Sequence, residues 1–174
     1  MTKPPIQVKN LIEEWSKEWG YTIKDTTAQQ GSASVEWVLE INNGRNSVIA
    51  ITEKKLKDVL KFQTQINFSP EHQQKTAQLP NEEYNKFVLE TTDRLAYLGC
   101  DWIFVHDQQN QKQMNSLVMF NFVVYEKIDK NTVLQMLNRA FINMAQMVRA
   151  ISISLNKGGN PQMGSTSTNN SIYG

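Results

Sequence analysis

The chain has 174 residues, 40% of them apolar, enough to bury roughly two-thirds of the surface its unfolded form exposes without a disulfide or metal staple. With 18 Lys+Arg against 17 Asp+Glu, it carries no broad field that would draw in nucleic acid or an anionic membrane. A single cysteine excludes an intramolecular disulfide and any cysteine-cluster metal site.

After Pro4-Pro5, the residues Val8, Leu11, Ile12, Trp15 and Trp19 recur at offsets of three and four, the stripe of an amphipathic helix that Gly20 stops. The polar passage that follows, "TTAQQGSAS", reads as a loop or weak edge strand. Val35, Trp37, Leu39 and Ile41 then alternate with Glu36, Val38 and Glu40, and Asn43-Gly44 suits a tight type I′ turn, so "VEWVLEINNGRNSVIAIT" reads as a hairpin. A third strand lies in "VLKFQTQINF", with Leu60, Phe62, Thr64, Ile66 and Phe68 on the buried side. Between the last two strands, "EKKLKDVLK" holds four lysines in nine residues, a solvated turn or a contact for an acidic partner. No aromatic residue interleaves with Lys54, Lys55, Lys57 and Lys61, so nucleic acid is not the expected ligand.

The segment "SPEHQQK" reads as a loop containing His72. A second helix starts at Pro80 or Asn81 and stops at Gly99, with Glu82 and Glu83 at the positive end of its dipole. "CDWIFVHD" is a fourth strand. "SLVMFNFVVYEK" is a fifth, apolar on both faces: Val118, Phe120, Phe122 and Val124 on one, Leu117, Met119, Val123 and Tyr125 on the other. Such a strand is expected to be central and covered on both sides. The last helix, "DKNTVLQMLNRAFINMAQMVRAISISL", is capped by Asp129 or Asn131. It is apolar over more of its circumference than one sheet face covers, through Leu134, Met136, Ile142 and Met147. A second partner such as another protomer accounts for that width. Residues 157–174 have the Gly/Ser/Asn/Pro composition of a disordered tail.

The predicted fold is thus α+β: an antiparallel sheet of about five strands with three helices in the order α-βββ-α-ββ-α, forming one domain over residues 1–156. No segment reaches the ~20 apolar residues of a membrane helix, and the acidic N-terminal stretch does not read as a secretory signal, so a cytoplasmic setting is expected.

The chemistry-bearing residues do not assemble along the sequence. Cys100 and His106 are separated by an extended strand of roughly 20 Å, far beyond the ~3 Å at which a histidine activates a thiol. Cys100 reads as a small buried residue beside a helix stop, and no catalytic residue is assigned. A hydrolase or metal-dependent enzyme built on His72, His106 and distant carboxylates is the alternative function, but no spacing matches a metal-ligand set, and neither metal nor cofactor is expected.

The element order, from "IQVKNLIEEWSKEWGY" through "VEWVLEI", "SVIAIT", "VLKFQTQINF", "EEYNKFVLETTDRLAYLG", "WIFVHD" and "LVMFNFVVYEK" to "TVLQMLNRAFINMAQMVRAI", resembles the type III secretion chaperone-like fold. In particular it is similar to the small uncharacterised archaeal proteins of that fold. The resemblance implies a protomer that often dimerises and binds polypeptides on apolar grooves, without cofactor or turnover. No binding residue transfers, because no position-specific motif matches. The expected function is a non-catalytic protein-binding or chaperone-like module, a homodimer with a polypeptide partner. Phe120, Phe122, Phe141, Met144 and Met147 are the expected association residues, since Met and aromatic side chains adapt well to protein surfaces.

Overall fold

The computed structural model describes residues 3–29, 33–56 and 58–156; the tail expected over 157–174 lies outside the described residues. The architecture is α+β, with helices α1 (Pro5–Glu18), α2 (Pro70–Gln78), α3 (Asn81–Leu98) and α4 (Lys130–Asn156). The strands are β1 (Thr22–Asp25), β2 (Val35–Asn42), β3 (Ser47–Glu53), β4 (Val59–Asn67), β5 (Asp101–His106) and β6 (Met114–Val124). They form one sheet in the order β1-β2-β3-β4-β6-β5. The chain divides into two compact units, residues 1–64 with 120–142 and residues 65–119 with 143–174.

Among the described residues, six strands and four α-helices replace the expected five strands and three helices. The additional strand, β1, pairs antiparallel with β2 from Thr22↔Asn42 to Asp25↔Leu39, and only Ile23 of its four residues is apolar. The additional helix is α2, in the segment read as a loop. Ser69 caps it, its hydroxyl accepting from the His72 backbone N–H at 3.3 Å, and Pro70 takes the first helical position. Its buried residues, His72 and Thr76, are polar, so no apolar period announced it.

In the first unit, α1 begins at Pro5, buries Val8 and Ile12, and gives way to Gly20 at φ 79°. The β2–β3 hairpin forms as expected, but its turn is displaced by one residue. Asn43 N–H bonds Asn46 C=O, leaving Gly44-Arg45 as the two-residue loop, with positive φ at Gly44 alone. A type I′ turn needs positive φ at both loop residues, so this loop departs from it. The Asn43 side-chain oxygen accepts from the backbone N–H of Arg45 and Asn46, which holds the chain in this arrangement. Leu39, Ile41, Val48, Ala50, Leu60, Phe62, Val133 and Leu137 are the fully or nearly buried apolar side chains at the centre of this unit. The fully buried Tyr125 hydroxyl lies 2.8 Å from buried Thr52 Oγ1. Asp129 caps α4 through the Thr132 N–H at 2.7 Å.

In the second unit, α2 is tied to the start of β6, whose Met114 N–H donates to Thr76 Oγ1 at 3.2 Å. Lys112 Nζ donates to Leu79 C=O at 2.8 Å, satisfying a carbonyl just past the end of α2. Gly99 stops α3 in the left-handed conformation, φ 62°, and Cys100 is buried directly after it. Phe87 and Leu95 of α3, Leu117 and Met119 of β6, and Met144, Met147, Ile151 and Leu155 of α4 are all buried.

Tyr125→Phe should lower stability by about 1–2 kcal/mol, because it leaves Thr52 Oγ1 buried without its partner, and Tyr125→Phe with Thr52→Val should recover part of the loss. Urea denaturation of the three variants checks this. The Asp25 carboxyl is held down at about 2, first by its hydrogen bond from Lys9 and then by those from Thr27. A carboxyl depressed in the folded state contributes stability above its unfolded value, and that contribution disappears as pH falls through the folded value. The thermal midpoint of wild type should therefore exceed that of Asp25→Asn at neutral pH, and the two should converge as pH falls from about 4 to 2.

Candidate functional site

The sequence offered two histidines and one cysteine as chemistry-bearing groups, and the structure keeps them in separate environments. Cys100 is buried, with Sγ 3.8 Å from Leu95 C=O. His72 sits in the first turn of α2 and is 9% exposed. Burial, then the neighbouring Lys75 ammonium, push its pKa below the usual histidine value, with Glu71 opposing them. His106 ends β5, half-buried, its ring 6.2 Å from that of Phe104. Among the described residues, no three His, Cys, Asp or Glu side chains are grouped to hold a metal ion.

Three open grooves lie in the second unit. One of about 670 Å³ runs between α3 and α4, lined by Glu90, Asp93, Arg94 and Tyr97 on α3 and by Ala150 and Ile153 on α4. A second of about 610 Å³ has an apolar floor of Leu79, Phe87 and Leu155 under Lys75, Glu83 and Lys86. The third, about 650 Å³, is walled by Asn81, Tyr84, Asn85, His106, Gln111 and Lys112. Its polar groups largely engage one another: Lys112 Nζ donates to Asn81 Oδ1 and Tyr84 OH donates to Gln111 C=O. His72 lines none of these three grooves, so no nucleophile–base–orienter arrangement converges in them.

Exposed apolar surface is the more distinctive feature. In the second unit, α3 presents Leu89 at 61% and Tyr97 at 90% exposure, and β5 presents Ile103 at 55% and Val105 at 40%. β5 is also a terminal strand of the sheet. Asp107 N–H bonds Gln113 C=O across the β5–β6 hairpin, so by the alternation of an antiparallel ladder the backbone groups of Trp102, Phe104 and His106 point to the open side. The opposite terminal strand, β1, is four residues long and carries Lys24 and an Asp25 salt-bridged to Lys9 at 2.6 Å, which is how edges are ordinarily blunted. β5 has neither lysine nor proline.

In the first unit Ile6, Leu56 and Ile142 are exposed singly, and β6 exposes two apolar groups on one strand. Val123 and Tyr125 are buried, whereas Phe122 and Val124 on the alternate face are 42% and 43% exposed. The expectation that both faces of this strand are covered is therefore corrected over its last residues. Phe120 and Phe122 meet edge to face at 5.4 Å. Phe141, Met144 and Met147, expected at an association surface, are 8%, 2% and 0% exposed and belong to the protomer's own packing. Phe141 lies 5.7 Å from the Tyr21 ring. Leu89, Tyr97, Ile103 and Val105 were not singled out from the sequence; the signal for Ile103 and Val105 was an apolar β5 without gatekeeper charges.

Residues 8–151 match the uncharacterized conserved protein family DUF2299. The chain belongs to this family. The fold is also similar to that in the crystal structure of an uncharacterized protein from Methanothermobacter thermautotrophicus, with a TM-score of 0.73 and 17% identity over 85% of this chain and 99% of that one. At that identity the likeness speaks for the fold alone. No functionally curated protein matches the chain. No helix among the described residues is long and apolar enough to cross a membrane.

Burying His72 in neutral form has a pH signature. Its folded pKa lies below its unfolded value of 6.5, so the unfolded chain binds the proton first and stability falls as pH drops below that value. Between pH 7 and 5 the thermal midpoint of wild type should fall more than that of His72→Gln, as read by circular dichroism melts across that range.

Proposed function

We propose that the protein is a non-catalytic, self-associating protein-binding module whose second copy docks on α3 and the open edge of β5. The observation that carries this reading is the exposure of Leu89, Tyr97, Ile103 and Val105 on two elements of one unit. Large side chains left in water on an unprotected edge are an association surface unless something blunts them. A second copy suits it because an antiparallel strand offers its own twin matching N–H and C=O groups. The charges nearby on α3 are also mixed, with Glu90 and Asp93 beside Arg94, so a two-fold contact can set opposite signs together.

A polypeptide-binding, chaperone-like role, as implied by the resemblance to the type III secretion chaperone-like fold, is in keeping with this reading and with a cytoplasmic setting. Nothing in the grooves favours the hydrolase or metal-enzyme alternative.

Light scattering should give a dimer for wild type and a folded monomer for Tyr97→Asp with Ile103→Lys. Both positions are at least half exposed, so the substitutions leave the core intact. A monomeric wild type, or a double variant that stays dimeric, would defeat the reading.

A further inference from the structure

The tip of the β2–β3 hairpin carries chemistry that makes no use of α3 or β5. Asn43-Gly44 is the one place in the chain where a glycine follows an asparagine. We infer that this pair is a self-modifying site: the Asn43 side chain closes on the Gly44 backbone nitrogen, loses ammonia and is left as an aspartyl residue.

The turn supplies what that reaction needs. Gly44 has no side chain to shield its nitrogen, and even a Cβ built there would meet nothing within 4 Å. Asn43, Gly44 and Arg45 are all exposed, so water can enter and ammonia can leave. Asn43 Oδ1 accepts from the backbone N–H of Arg45 at 3.0 Å and of Asn46 at 2.9 Å. A side-chain oxygen that reaches the amides two and three residues ahead must fold back over the intervening peptide bond. Its Cγ is thereby held on the side of the nitrogen that attacks it, the orientation an unfolded chain must find from a broad ensemble. Negative charge then develops on this same Oδ1, where two N–H groups already point, as the donors of an oxyanion hole do. The Gly44 N–H is donated to Asn42 Oδ1 at 2.6 Å, which draws the hydrogen away from the attacking nitrogen.

In the first step a bond forms from Gly44 N to Asn43 Cγ, and the Gly44 N–H proton passes through water to Nδ2. The Cγ–Nδ2 bond breaks, ammonia departs, and a five-membered cyclic imide remains. Water then adds to one of the two imide carbonyls and the bond from that carbon to nitrogen opens. Opening at Cγ gives an ordinary aspartate; opening at the backbone carbon gives isoaspartate, with the chain routed through the side chain. Water is the sole co-reactant, and nothing is oxidised or reduced. The Arg45 and Asn46 donors polarise the Cγ carbonyl, so they direct water there and favour the ordinary aspartate. That product also suits the turn, because its carboxylate accepts the same two N–H groups with a full charge. The formal net charge of the chain falls from +1 to 0.

The test is mass spectrometry of tryptic digests after timed incubation of the full chain near neutral pH, beside a free peptide spanning residues 36–50. Fragmentation locates the change, and isoaspartyl methyltransferase labelling separates the two products. Conversion should be confined at first to Asn43, run at least about threefold faster in the folded chain than in the peptide, and yield mainly ordinary aspartate in the folded chain alone. Asn46→Pro removes one of the two donors, an N–H that lies outside the β2–β3 ladder, and should slow conversion about threefold and raise the isoaspartate share. The comparison of wild type with the peptide decides the matter should that variant not fold. Conversion in the folded chain no faster than in the peptide, the same product ratio in both, or a folded Asn46→Pro that behaves as wild type would each overturn the proposal.

Discussion

The placement of Tyr125 governs what the first unit shows to water. Its hydroxyl is shared with Thr52 inside the core, and its backbone N–H is taken by the carbonyl of Asp58, the residue before β4. These two bonds fix both the rotation and the register of the end of β6. A one-residue slip would send Val123 and Tyr125 outward and bring Phe122 and Val124 into the core. Aromatic and aliphatic residues occur on both sides of this strand, so hydrophobicity alone does not choose between the two registers. The pair that Tyr125 makes with Thr52 does: in the slipped register Tyr125 faces water and the buried Thr52 hydroxyl loses its partner, at a cost of about 1–3 kcal/mol. The exposed pair Phe122 and Val124 is thus a consequence of satisfying a buried polar group.

Much of the architecture was legible because apolar residues recur with the period of the element that buries them. The α1 stripe, the β2 alternation, the Gly99 stop of α3 and the inward face of β4 are of this kind. The elements missed are those in which tertiary context, not apolar patterning, does the work. In α2 the inward residues are His72 and Thr76, whose burial depends on hydrogen bonds and packing supplied by other segments. The Ser69-Pro70-Glu71 start signal was present, but without an apolar period it looked like any polar loop. β1 is a strand because β2 offers it a ladder, not because its four residues prefer one. The hairpin turn moved by one residue because the Asn43 side chain caps the loop from outside it, a local competition that the Asn-Gly dipeptide does not reveal.

The site was less legible than the fold, for a related reason. Periodicity tells which residues share a face but not whether anything covers that face. Phe141, Met144 and Met147 on one side, and Phe120 and Phe122 on the other, have similar composition and similar suitability for a partner. The first three are enclosed by their own protomer, and Phe122 is not. Leu89 and Tyr97 carried no sign of their exposure at all, since α3 has enough apolar residues to supply a core stripe without them.

Charge bears on what an exposed apolar surface can meet. A surface that meets a copy of itself must tolerate each of its own charges reflected across the two-fold axis. Near α3 and β5 the signs are mixed, with Arg94 next to Asp93 and Asp101 at the start of the strand, so a symmetric contact can align opposite signs. On the outer face of β6, Lys61 and Glu53 form a salt bridge, while Phe122 and Val124 stay open to water. The mixed charge near α3 and β5 is what favours a like partner in the contact proposed there.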